Sequence, residues 1–121
     1  MLTLEEYTEQ SIIVLTPTDE LLTADAVQEV CACTDTAAAR QVIIDFKNVR
    51  SLVSGSLYPH AEPIKPLLTL NQKLQTEERR MVLCNLSSEI AEVFRITRIN
   101  QILEVQPDLA KALSNASGVS S

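Results

Sequence analysis

No tryptophan occurs in this 121-residue chain and aromatics supply only 3% of it, so the interior has to be built from Leu, Ile, Val and Ala. Deep aromatic-lined ligand pockets are not expected from such a core. Glycine is equally scarce: Gly55 and Gly118 are the only two. Dinucleotide and phosphate-cradling loops need several glycines between a strand and a helix, so neither fingerprint can be written here. Basic charge is short as well, ten Lys and Arg against sixteen Asp and Glu, for a net charge of −6. Nucleic-acid binding draws most of its sequence-independent affinity from cations neutralising phosphates, and this balance argues against it. No apolar run approaches the roughly 20 residues of a membrane span, and the chain opens directly on strand-like Leu2 to Thr8. Neither a span nor a signal peptide is expected.

Three cysteines, an odd number with no secretory signal, fit a reducing cytoplasm better than a disulfide scaffold. Cys31 and Cys33 stand two apart on a predicted helix and do not share a face, so joining them with Cys84 around a metal needs distorted geometry. Buried or half-buried thiols, with no metal and no cofactor, are the expectation.

What is present is a sequence of short apolar runs. Ser11-Ile-Ile-Val-Leu-Thr16 is β-branched and can pair with Leu2 to Thr8 as a hairpin, and Pro17, without an N–H, ends it. A helix is predicted from about Leu22, with Thr23 as cap, Asp25 in its first turn and Val27, Val30 and Cys31 facing inward. Gln41-Val-Ile-Ile-Asp-Phe46 is continuous rather than alternating, which marks a central strand covered on both faces. Pro59, Pro63 and Pro66 then predict loop to about Glu62 and a helix starting at Pro63 or Pro66. Ile64, Leu67, Leu68 and Leu74 fall on its inner face, interrupted by Asn71, and Thr76 to Arg79 forms a polar turn. Met81 to Cys84 reads as a second buried strand. Ser87 is placed to cap a helix carrying Glu89 and Glu92 early and Arg95 and Arg98 late, with Ile90, Val93, Phe94 and Thr97 inward. Ile102 to Val105 is a last strand and Pro107 to Leu113 a closing helix. The order ββαβαβαβα implies an α/β fold, a mixed sheet of about five strands with about four helices. Residues 1–113 form the expected domain and 114–121 a flexible tail.

Little of this offers catalysis. A hydrolase could enlist Ser54 or Ser56 as nucleophile, His60 as base and Asp45 as orienter, but the nucleophile-elbow motif is absent. Glu5 with Glu6 and Glu77 with Glu78 are adjacent carboxylates, beside a turn or on an edge strand, where solvation explains them. The loop from Ser51 to Glu62 is the distinctive segment. It leaves the carboxyl end of the central strand and enters a helix, where open α/β sheets place their sites and where a helix start exposes N–H groups.

Val42-Ile-Ile-Asp-Phe-Lys-Asn-Val49, Met81-Val-Leu-Cys-Asn-Leu-Ser-Ser-Glu-Ile90 and Val93-Phe-Arg-Ile-Thr-Arg-Ile-Asn-Gln-Ile-Leu103 together resemble the STAS family, the sulfate transporter and anti-sigma factor antagonist domains. The resemblance runs from about Ser11 to Leu113. It implies a STAS-like sheet and a non-catalytic regulatory domain that binds a protein, an anti-sigma factor or a serine kinase, in control of transcription. As the runner-up it admits an accessory subunit of a transport or sensing complex. In the antagonists an Asp-Ser-Ser-Gly motif at the start of the helix after the central strand carries the phosphorylated serine. Counting forward from Asp45 lays that motif on Val53-Ser54-Gly55-Ser56, with Gly55 in the phosphoserine place. Counting back from Met81 lays it on His60-Ala61-Glu62-Pro63, which implies an insertion and brings Glu62 near that place. The resemblance therefore makes Ser54 and Ser56 candidate phosphoacceptors, and Ser54, Gly55, Ser56, His60 and Glu62 candidate partner contacts.

Overall fold

The computed structural model describes residues 2–7, 11–18, 21–22, 24–36, 39–52 and 61–118. Its main sheet has five strands in the order β1-β2-β4-β6-β7. β1 (Leu2–Tyr7) and β2 (Ile12–Pro17) form the antiparallel hairpin read from the sequence, with Leu4 opposite Leu15 and Tyr7 opposite Ile12. β2, β4 (Gln41–Asp45), β6 (Arg80–Cys84) and β7 (Glu104–Gln106) run parallel, with Ile43 beside both Val14 and Val82. β4 is thus the middle strand.

Two apolar layers explain why the central strands read as unbroken hydrophobic runs. Ile13, Leu15, Val42, Ile44, Met81 and Leu83 face three helices, α1 (Ala24–Thr36), α2 (Ala61–Thr76) and α3 (Ser88–Thr97). Ile12, Val14, Ile43, Val82 and Cys84 face α4 (Leu109–Gly118) through Leu109, Ala112 and Leu113. Alternate residues of one strand are therefore buried by different helices, each large side chain contributing roughly 1.5–3 kcal/mol.

Within α1, Val27 and Val30 are buried and Cys31 is half-buried, as the spacing requires; Thr23 lies outside the described residues. Thr34, also buried, is satisfied locally, its hydroxyl donating to the carbonyl of Cys31 at 2.8 Å. α2 buries Leu67, Leu70 and Leu74, so Leu70 joins the predicted stripe, and Asn71 is drawn in with it. α3 buries Ile90 and Phe94, and Arg98, at φ 62°, ends it in the left-handed conformation a glycine often supplies.

Several boundaries differ from expectation. α2 already includes Ala61, ahead of both prolines. Pro66 lies inside and has no N–H to send to the carbonyl of Glu62. The last strand starts at Glu104 rather than Ile102, because one turn of 3-10 helix, Ile99–Gln101, comes first. α4 starts at Leu109 and continues past Leu113 to Gly118; Asp108 stands before it and accepts from the Lys111 N–H at 2.7 Å. A two-stranded parallel ribbon of β3 (Leu21–Leu22) with β5 (Ser51–Leu52) was not anticipated.

Candidate functional site

The chain leaves the sheet at Asp45, and a set of short polar side chains fixes its path from there. Asp45 is buried, and its Oδ1 accepts from the Lys47 backbone N–H and from Asn85 Nδ2, both at 2.9 Å. The first bond makes the turn after β4; the second ties that turn to the end of β6. Asn85 adopts φ 57°, a left-handed conformation that asparagine tolerates better than most residues. The Phe46 N–H extends the ladder to the Cys84 carbonyl at 2.9 Å, and the Val49 N–H closes back on Phe46 at 2.9 Å.

Ser87 carries the connection further. Its Oγ accepts from the Ile90 N–H at 3.2 Å, the helix cap read from the sequence, and donates to the Arg50 carbonyl at 2.8 Å. One hydroxyl therefore links the α3 N-terminus to the residue directly before β5. After β5, residues 53–60 lie outside the described set, and with them the candidate residues Ser54, Gly55, Ser56 and His60. The chain is described again from Ala61, already within α2, so Glu62 lies in that helix.

Two groups that chemistry could have used are otherwise engaged. Asp45, the orienting carboxylate of the hydrolase reading, serves to hold two strand ends together. Cys84 is buried beside it, and its thiol is pushed up to about 12 by burial first and then by the carboxylates of Asp45 and Asp108. A thiol so protonated is a poor nucleophile and a poor metal ligand near neutral pH. Cys31 and Cys33 are half-buried, as expected. Among the described residues no group of three or more His, Cys, Asp or Glu side chains is placed to hold a metal ion. Glu5 and Glu6 are exposed on β1, and Glu77 pairs with Arg79 at 3.0 Å.

Sequence reasoning missed the two arginines at the opposite end of the sheet. Arg79 sends Nε to the Ala39 carbonyl at 2.7 Å and Nη2 to the Thr34 carbonyl at 3.2 Å. α1 has no basic residue in its last turn, and that shortage was the signal that a cation must come from elsewhere. Arg80 makes a two-pronged pair with Glu104, Nε to Oε1 at 2.7 Å and Nη2 to Oε2, which joins β6 to β7.

The fold has known counterparts. Unphosphorylated SpoIIAA, an anti-sigma factor antagonist, superposes with a TM-score of 0.72 at 20% identity, over 98% of this chain and 97% of that one. A serine-to-glutamate variant of RsbS from Moorella thermoacetica gives 0.69 at 13% identity, over 98% and 97%. SLC26A9 gives 0.68 at 17% identity, over 91% of this chain but only 20% of that longer one. A comparison with curated protein sequences finds no match. No helix among the described residues is long and apolar enough to cross a membrane. The STAS domain model matches residues 3–112, nearly the whole of the sheet and its helices, and the chain belongs to the STAS domain family.

Proposed function

We propose that this chain is a cytoplasmic, non-catalytic regulatory domain, similar to an anti-sigma factor antagonist, that docks a protein partner in partner-switching control of transcription. The contact runs through Ser54, Gly55, Ser56, His60 and Glu62, and the partner is an anti-sigma factor or a serine kinase. One observation supports the reading: Glu62 lies in α2, the helix that follows the carboxyl end of the middle strand and the β5 segment. Antagonists of this family keep their phosphoserine at the start of that helix.

A phosphoserine adds about −1.5 to −2 charge, which a helix N-terminus accommodates, so phosphate releases a partner by repulsion and steric block across the interface. Glu62 holds one negative charge permanently. The domain is accordingly fixed in one binding state or selects a different partner, and Ser54 and Ser56 are the residues left to be switched.

Capture of the partner followed by titration with wild type and Glu62→Ser tests this. A changed affinity supports the role of Glu62, and equal affinities sink it. Incubation with the cognate kinase and mapping of modified peptides tests the serines; label elsewhere than Ser54 and Ser56 overturns that assignment. The likeness to SLC26A9 favours a second reading, an accessory subunit of a transport or sensing complex. Co-purification separates the two: a histidine-kinase-like anti-sigma factor supports the first, and membrane transport components the second. Ester or phosphoester turnover abolished by Ser56→Ala would return the hydrolase reading instead.

A further inference from the structure

Among the described residues three large hydrophobic side chains are exposed: Leu4 at 41%, Ile96 at 66% and Ile102 at 59%. Single exposed apolar residues are ordinary on a protein surface. These three are distinguished by the charges beside them and by where the fold puts them. Leu4 lies on β1 next to exposed Glu5 and Glu6. Ile96, near the end of α3, and Ile102, just before β7, flank the exposed Arg98, and the exposed Arg95 directly precedes Ile96. Arg95 is shared with Glu92 one turn back, which leaves Arg98 the less compensated charge of this corner. β1 and β7 are the two outer strands of the described sheet, so Leu4 and Ile102 lie toward opposite edges, and α3, which carries Ile96, packs against the 3-10 turn that precedes Ile102.

We propose that a second copy of this chain covers each patch, the β1 edge of one copy docking on the α3–β7 corner of the next. Charge selects that arrangement over the symmetric ones. Two β1 edges side by side would set Glu5 and Glu6 against their own counterparts, and like charges directly opposite across strands are destabilising. Two corners would oppose Arg98 to its own counterpart in the same way, Arg95 being already paired with Glu92. Edge against corner pairs Leu4 with Ile96 and Ile102 and places the glutamates by the arginines. An outer strand also presents a row of backbone N–H and C=O groups able to pair with another chain, and β1, six residues long, is the longer of the two edges. Net charge of −6 opposes association only over about a Debye length, roughly 8 Å at physiological salt. Because the joined surfaces differ, the contact is head-to-tail, so it continues from copy to copy unless a ring closes.

Sedimentation velocity of the whole chain over a range of concentrations tests this, with Leu4→Lys/Glu6→Lys disabling the edge and Arg98→Glu/Ile102→Glu disabling the corner. All four positions are exposed, and a retained thermal midpoint checks that each variant folds. The wild type should grow past two copies as concentration rises, and each variant alone should stay at 13.3 kDa. An equimolar mixture of the variants keeps one good edge and one good corner, and should give a two-copy species with nothing larger. For the wild type, salt near 1 M, where the Debye length is about 3 Å, should weaken association. A wild type that remains single up to roughly millimolar concentration overturns the proposal, as does a dimer that persists in both variants.

Discussion

The two ends of the sheet are secured by different chemistry. At the end where the parallel strands begin, long cations do the work: Arg79 bonds the carbonyls of Thr34 and Ala39, and Arg80 grips Glu104. At the end where they finish, short polar side chains bond to backbone and to one another, Asp45 with Lys47 and Asn85, Ser87 with Arg50 and Ile90. Guanidinium groups span the gap from a strand to a helix terminus and keep their charge partly in water. Carboxamide, carboxylate and hydroxyl groups act over two or three residues and define the turn that leads toward the candidate site. The first end is a fastening, and the second sets the direction in which the chain leaves the sheet.

The largest expected effect is a pH dependence confined to the second end. The thiol of Cys84 ionises about three units higher in the folded chain than its ordinary 9.0. The folded state therefore holds this proton more tightly than the unfolded state, and stability should fall as pH rises from about 9 to about 12, by at most about 1.4 kcal/mol per unit. Denaturant titrations of the wild type and Cys84→Ala should diverge only in that window, and parallel curves there would remove the thiol from the account. Next is Asp45→Ala, which strands the Asn85 amide and the Lys47 N–H and should lower unfolding free energy by about 1–3 kcal/mol. A shift no larger than that of an exposed residue would contradict the buried tie between β4 and β6. Arg79→Ala should cost about 1–2 kcal/mol, discounted for partial exposure, with Arg79→Lys recovering little because an ammonium cannot bond two carbonyls in a fork. Ser87→Ala should cost about 1 kcal/mol as a lost helix cap. Removing the fully exposed Glu92 by Glu92→Gln should leave the thermal midpoint unmoved, even though its ion pair with Arg95 holds its carboxyl below the usual range.

Reading the sequence located the parts of this fold that announce themselves by hydrophobic run or cap. Ile12 to Leu15, Val42 to Phe46 and Met81 to Cys84 are buried on both faces and could be recognised because a doubly covered strand needs no polar alternation. Ser87 could be recognised because its position ahead of Glu89 and a hydrophobic stripe leaves it one role. The β3–β5 ribbon was illegible: two residues per strand carry no period, and Leu21–Leu22 with Ser51–Leu52 pair through tertiary placement alone. The extent of α2 is hidden by its prolines, because a proline discourages helix at the residue before it, and yet Ala61 and Glu62 are helical ahead of Pro63. Pro66 is tolerated where the following turns bury Leu67, Leu70 and Leu74. Of the candidate site, counting residues gave Glu62 only as a candidate, and the Asp45–Asn85 bond joins positions forty residues apart, a partnership that no local pattern records.

The proline inside α2 sets how that helix behaves when something presses on its entrance. Without an amide hydrogen at Pro66, the turn holding Glu62 is joined to the remainder by fewer rungs than any turn below it. Its amides should exchange with deuterated solvent well before those that follow Leu67, whose side chains are anchored under the sheet. This turn can then unwind and rewind at small energetic cost while the packed turns from Leu67 onward stay in place.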